Sequence, residues 1–292
     1  MLVITHDPAL QTQGGKRLHE HFNWQDPAML VEGFINDLAE CSYGYVLYRV
    51  VEHIVVNGFP VKADGFQYTE ETYLQAWATG QFHQPDAVDY YRLLNDFNLI
   101  GRINSGEIDE VWLMGHPYGG YYESIMVGPE AFWCNAPPLA NTDSANRQFI
   151  IMGFNFERRV GEMLESYGHR IESIMERVYQ GVPEAENMWH RFIRYDQTSP
   201  GKAECGTVHF APNSVRDYDW GNTHTVLSRC DIWYNYPNLD GDPRQVDSTE
   251  WGSGDPRLHH TWWMNHFPHG SGESGQETSE NWWKYIIDPN NV

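Results

Sequence analysis

Five titratable side chains recur at helical spacing in the stretch RRVGEMLESYGHRIESIMERVYQG: Glu162, Glu165, His169, Glu172 and Glu176. Steps of three and four residues put them on one face of a helix. Val160, Met163, Leu164, Tyr167, Ile171, Ile174, Met175 and Val178 centre on the opposite direction, so the segment reads as an amphipathic helix packed on a sheet. The polar stripe has two readings. As a solvated face it would be flanked and paired by Arg159, Arg170 and Arg177. As a chemical face it would account for the like charges, Glu162 with Glu165 and Glu172 with Glu176, at spacings that weaken a helix. Glu165 and His169 stand at i and i+4, the spacing by which one helix gives two ligands to a single metal. Gly161 and Gly168 lie together on a neighbouring face, where another backbone or a substrate could approach closely.

Other residues extend this chemistry. Glu123, in YYESIMV, shares parity with Ile125 and Val127 and is expected to face inward. An inward charge protects an edge strand from aggregation; alternatively Glu123 lines a cleft opposite the helix stripe. Two carboxyl groups about 5–10 Å apart serve glycoside hydrolysis, one protonated and one ionised, and Glu123 with Glu162 or Glu165 would supply them. His209 follows a short strand in ECGTVHFAPNSVRDYDW, with Asp217 and Asp219 after it. His259, His260, His266 and His269 bunch in LHHTWWMNHFPHG without tight metal spacing. NLDGDP lacks the acidic positions of a calcium loop and reads as a turn. Tryptophans crowd the second half, where most should form core and some could stack on sugar rings. Trp262 and Trp263, with His116, Tyr118 and Tyr121 of HPYGGYY, are the candidates for lining a substrate groove.

The elements that must position these groups follow from periodicity. MLVITH reads as a first strand, and WQDPAMLVEGFINDLAE as a helix capped by Asp26 with Pro27 at its first position. GYVLYRVVEHIVV reads as a long second strand. Residues 58–85 make an excursion with a short helix around EETYLQAWA, stopped by Gly80. PDAVDYYRLLNDFNLIGRINSG supplies one or two helices, DEVWLMG a buried strand, YYESIMVG an antiparallel edge strand, and QFIIMGF the strand that leads into the long helix. Alternating strands and helices imply a mostly parallel sheet. The texture changes near residue 182, beyond which loops rich in Gly, Pro, Asn, Asp and Trp prevail. The expected fold is α/β (α+β): a twisted mixed sheet with packed helices over residues 1–181 and an irregular Trp-rich part over 182–292, together one compact unit.

Composition narrows the function. The 292 residues carry a net charge of −21 and only four lysines, Lys16, Lys62, Lys202 and Lys284, which argues against a nucleic-acid partner. No run of about 18 apolar residues suggests a membrane span. MLVITHDPAL has neither the basic region nor the cleavage site of a signal peptide, yet an acidic, Lys-poor, aromatic-rich surface suits a secreted, extracellular enzyme. Four cysteines permit three pairings; Cys205 with Cys230 is the first candidate for a disulfide, and free buried thiols are the alternative. The absence of CxxC, GxSxG, P-loop and GxGxxG patterns leaves thiolate-zinc, serine-hydrolase, nucleotide and dinucleotide chemistry without support.

Over residues 1–180 the order of elements resembles that of the zincin metallopeptidases. In that superfamily a twisted sheet ends in an antiparallel edge strand, and one more strand leads into a helix carrying HExxH. The corresponding residues here are ESYGH: Glu165 falls at the first His, Ser166 at the general-base Glu and His169 at the second His. The resemblance implies zinc held by Glu165, His169 and a third ligand from the irregular part, for which His209 is the candidate. With Ser166 at the base position, Glu162 or Glu172 would have to act as base, outside the family's pattern. Three functions are thus expected: a metal-dependent, peptidase-like hydrolase with its cleft between the edge strand and the 158–180 helix; a metal-free glycoside hydrolase; or an inactive carbohydrate- or peptide-binding module. The substrate would be a polysaccharide or a peptide.

Overall fold

In the computed structural model, which describes residues 1–273 and 278–292, the chain divides into two compact units. The first comprises Met1–Gly33 and Tyr48–Arg159, the second Phe34–Leu47 and Val160–Val292. This grouping differs from the one expected at 181/182 in where it puts the long helix. The long helix groups with the C-terminal residues and with Phe34–Leu47, both of which pack on it.

The first unit is built on five strands: β1 (Leu2–His6), β2 (Glu52–Val56), β3 (Val111–Gly115), β4 (Ser124–Val127) and β5 (Phe149–Asn155). Their order is β2-β1-β3-β5-β4. The first four in that order run parallel, and β4 pairs antiparallel with β5 at the edge. The mixed α/β class expected from the sequence is therefore the observed one. β1, β3 and β4 are buried throughout, as uninterrupted apolar runs require when both faces are covered.

The long strand expected over residues 44–56 is shorter. It pairs only with β1, whose five residues match Glu52–Val56 one for one, and an edge strand cannot extend its ladder past its neighbour. Helix α1 (Pro27–Cys41) begins in this unit and ends in the other. α2 (Glu70–Thr79) starts where the Thr69 hydroxyl accepts from the Thr72 N–H and stops at Gly80, φ +69°. α3 (Tyr90–Asp96) and α4 (Leu99–Asn104) complete the unit. Leu93, Leu99 and Ile103 from them pack with Leu2, Ile4, Leu113 and Ile151 of the sheet.

The second unit centres on α5 (Val160–Val178), with α6 (Met188–Phe192), α7 (Pro256–Asn265) and α8 (Trp283–Ile287). α5 packs on α7 and α8, and Tyr167 meets Phe34 edge-on at 5.7 Å. Arg170, expected along a solvated flank, is instead fully buried. It donates to the Ile286 carbonyl at 2.8 Å and stacks over Tyr167. Trp189, Trp233, Trp263 and Trp282 form a continuous ring core around Phe192. That answers how an irregular region stays folded: large rings replace regular backbone packing. All four cysteines are buried free thiols, so the Cys205–Cys230 disulfide is not formed.

Candidate metal centre

Three side chains of the second unit converge. Glu165, His169 and His209 offer ligand atoms that all lie within 4.8 Å of one another. Glu165 and His169 sit one turn apart on α5, and His209 comes from the loop of residues 206–210. Several contacts fix that loop. Gly206 adopts φ +78°, its carbonyl accepts from Trp263 Nε1 at 2.9 Å, and the Val208 N–H donates to Glu172 Oε1 at 3.3 Å. Gly168 makes room for it, since a Cβ there would come within 2.5 Å of Val208 Cγ2. Gly161 does the same for α7, where a Cβ would meet the Arg257 backbone nitrogen at 2.9 Å.

His260 on α7 bridges both neighbours, with Nδ1 3.0 Å from the Gly161 carbonyl and Nε2 3.2 Å from the Val208 carbonyl. Burial holds its pKa down to about 4. The ring is therefore neutral and has one proton to give; we assign it to the shorter contact, at Nδ1. The adjacent His259 is fully buried against Trp220, at 5.1 Å, and neither of its ring nitrogens has a partner among the described residues.

Each of the two convergent histidines has a carboxylate beside one ring nitrogen. His169 Nδ1 lies 3.1 Å from Glu172 Oε2, and His209 Nδ1 lies 3.0 Å from Asp217 Oδ1. A carboxylate on one ring nitrogen fixes the tautomer that presents the other nitrogen to a metal. His209 Nε2 stands 3.2 Å from Glu165 Oε1, close to the roughly 3.4 Å edge of a tetrahedron with zinc bonds of about 2.0–2.2 Å. The Tyr218 hydroxyl donates to the same Glu165 oxygen at 3.1 Å, from a backbone held at φ +58°, a conformation that costs a tyrosine energy.

Glu165 and His209 shift one another's titration. Burial pulls the pKa of His209 down and the His169 ring adds to that; the hydrogen bond to Glu165 and the charge of Asp217 outweigh them, and the net shift is upward. For Glu165, burial pushes up, but His209, His260 and Tyr218 bring the carboxyl below its ordinary value.

No family model, curated protein or solved structure shows a significant match to this chain. Its own geometry carries the functional argument.

The remaining sequence candidates are distributed as follows. Glu172 Oε2 lies beside His169 Nδ1, and its Oε1 accepts from the Val208 N–H. Ser166 is buried, its hydroxyl donating to the Glu162 carbonyl at 3.1 Å. Glu162 is half-buried, one turn before Glu165. Glu123 belongs to the first unit, just before β4, half-buried and bound by Asn135 Nδ2; it lies outside the strand whose parity had placed it inward.

Trp263 is corrected from substrate lining to core: it is fully buried, on the face of α7 that also carries His259 and His260, whereas Trp262, about 100° further round, stays half-buried. His116 is likewise buried, between Phe59 and Tyr73 at 5.1 and 4.7 Å, because it directly follows the buried β3; desolvation lowers its pKa to about 3. The Tyr121 hydroxyl meets His6 Nδ1 at 2.6 Å. Only Tyr118 of that group is exposed. Sequence reasoning leaves Tyr218 unassigned, since a loop tyrosine has no periodicity to mark it.

A second trio, Cys230, Asp231 and His266, also falls within 4.8 Å. There Arg244 donates to both Asp231 oxygens, at 2.5 and 3.0 Å. A guanidinium already fills that carboxylate.

Proposed function

We propose that this protein is a metal-dependent hydrolase whose ion is held by Glu165, His169 and His209. The observation that carries the reading is the pairing of each histidine's Nδ1 with its own carboxylate, Glu172 and Asp217, around ligand atoms that already converge. Two imidazoles and one carboxylate suit zinc and leave a fourth position open, as hydrolytic zinc sites do. A bound zinc ion supplies Lewis-acid polarisation and a water of lowered pKa.

The chain's own residues divide the other work. Asp217 and Glu172 orient the imidazoles, and Tyr218 holds the Glu165 carboxylate. Glu162, one turn before Glu165, is the carboxylate we assign to accept a proton from water, since the Ser166 hydroxyl is committed to the helix backbone. The finer fold reading, zincin-like, is supported by one antiparallel strand at the sheet edge and a neighbouring strand, β5, that leads into the ligand-bearing helix. A peptide or polysaccharide substrate and a place outside the cell complete the proposal; the acidic, lysine-poor composition supports the latter.

The test is elemental analysis of the purified protein together with zinc titration, followed by a panel of peptides and glycans. One tightly bound zinc per chain is expected, lost in Glu165→Gln and in His209→Ala. A wild-type protein that takes up no stoichiometric metal, or variants that bind as well as wild type, would remove the basis of the proposal.

A further inference from the structure

The carboxyl end of β1 gathers a separate group of ionisable side chains, all within the first unit. β2 lies on one side of β1 and β3 on the other. The connections therefore part at this end of the sheet, where open parallel sheets leave a crevice for ligands. Asp7 directly follows β1, and its N–H still donates to the Val56 carbonyl at 3.1 Å. The chain then doubles back. Ala9 and Leu10 pair antiparallel with Arg17 and Lys16, and Gly14 and Gly15, at φ +74° and +78°, make the turn between them. This hairpin returns Arg17 and His19 to Asp7.

Asp7 holds both of them. Its carbonyl accepts from Arg17 Nη1 at 2.8 Å. Its carboxylate takes His19 twice, the backbone N–H on Oδ1 at 3.2 Å and ring Nδ1 on Oδ2 at 2.7 Å. Asp7 is buried, whereas the His19 side chain is 17% exposed. A carboxylate at Nδ1 fixes the proton there and leaves Nε2 of the neutral ring as an acceptor. That Nε2 has no partner among the described residues. The Arg17 guanidinium likewise forms no ion pair among them; Glu20 Oε2 accepts from the Arg17 backbone N–H instead, at 2.7 Å. Phe156, just after β5, stands edge-on to His19 at 6.3 Å and to His116 at 6.4 Å. His116 gives its Nδ1 proton to the Pro117 carbonyl at 3.0 Å, and its buried Nε2 is a further acceptor without a partner.

We propose that this end of the sheet binds a small oxyanion that also carries a hydroxyl group, such as a hydroxy acid or the phosphate ester of a polyol. Arg17 takes the oxyanion and His19 Nε2 accepts from the hydroxyl. A buried carboxylate kept only for stability gains most when both members of its pair are saturated. Here the inner side of each partner is tied to Asp7 and the outer side is left open, which is the pattern of groups oriented before a ligand arrives. The donor set names the class. A guanidinium fork suits phosphate or carboxylate oxygens, and a lone-pair nitrogen suits a hydroxyl donor. No residue of the proposed metal centre takes part.

The test is calorimetric titration of the full chain with two pairs of ligands: malate with succinate, and glycerol 3-phosphate with propyl phosphate. Within each pair the second member lacks the hydroxyl. At least one hydroxylated ligand is expected to bind, about tenfold or more tighter than its analogue. Arg17→Gln should weaken it about tenfold, and His19→Ala should erase the preference over the analogue. Arg49→Gln, which removes an exposed guanidinium elsewhere in the unit, should change neither. Failure of both hydroxylated ligands to bind would overturn the proposal, as would equal binding of the analogue, an affinity untouched by Arg17→Gln or equal weakening by Arg49→Gln. Loss of binding in Glu165→Gln would assign the ligand to the metal centre and overturn it too, whereas unchanged binding there keeps the two sites apart. Should a substitution at Arg17 or His19 unfold the chain, the His19 Nε2 resonance of the wild type decides: a shift on adding the ligand supports the site, and none overturns it.

Discussion

The contact between Glu165 and His209 makes a prediction whose sign changes with metal. In metal-free protein it is an ion pair of a nearly buried carboxylate with an imidazolium that is 22% exposed. Hydrogen bonds to charged groups contribute about 1.5–3 kcal/mol, and the partial exposure of His209 points to the lower end, about 1.5 kcal/mol. Glu165, with its pKa below the ordinary 4.5, adds stability above that value, lost as pH falls through the lower folded one. His209, raised above 6.5, adds stability below that value, lost as pH rises through the higher folded one. Both contributions are complete only between these two ordinary values.

A double-mutant cycle with Glu165→Gln and His209→Gln, followed by urea unfolding in chelator, reads the coupling. It should be about 1.5 kcal/mol near pH 5.5 and decline toward pH 9. Zinc held at the proposed site would invert the trend, because it would have to displace the Nε2 proton of His209. Stabilisation by zinc, about 2.7 kcal/mol at a hundredfold excess over Kd, should therefore grow over the range in which the apo coupling fades. A coupling near zero at about pH 5.5, or one that strengthens with pH in chelator, would refute this account of the pair.

Three further outcomes are expected. Gly168→Ala and Gly161→Ala should each destabilise the fold in urea, although alanine favours a helix by about 1 kcal/mol over glycine. The new methyl would displace Val208 in one case and the α7 backbone in the other, and zinc affinity should fall more for Gly168→Ala, which shifts the His209 loop. Trp263→Ala should cost about 3–5 kcal/mol as a fully buried ring with a bonded indole, against less than about 1.5 kcal/mol for half-buried Trp262→Ala, both read by thermal and urea unfolding. Lys62→Met should cost about 1–3 kcal/mol by leaving the Tyr118 and Asp86 carbonyls without their donor, measured in the same way.

The amphipathic period of residues 160–178 is enough to place Glu165 and His169 side by side, because i and i+4 neighbours are adjacent in any helix. The antiparallel direction of β4 is legible too, since the short connection of residues 116–123 cannot carry a parallel crossover, although β5 comes to lie between β3 and β4. Burial of Arg170 is not legible. It lies between the polar and apolar faces, and its fate depends on the Ile286 carbonyl that α8 brings to it.

Periodicity says nothing about loops, and loops complete the cluster around Glu165 and His169. His209, Asp217 and Tyr218 have no regular spacing; they reach α5 because Gly206, Trp263, Glu172 and the two helix glycines fix where residues 206–210 run. Nor does WW at 262–263 announce that one ring is core and the other half-buried; the rotation of α7 decides it. The sequence by itself determined the local geometry of the Glu165–His169 pair on α5 and the order of the strands' direction changes, because both follow from short-range sterics. The approach of His209 to that pair and the carboxylates behind the histidines were decided only by tertiary packing, which joins residues tens of positions apart by shape and hydrogen-bond demand that no window along the chain contains.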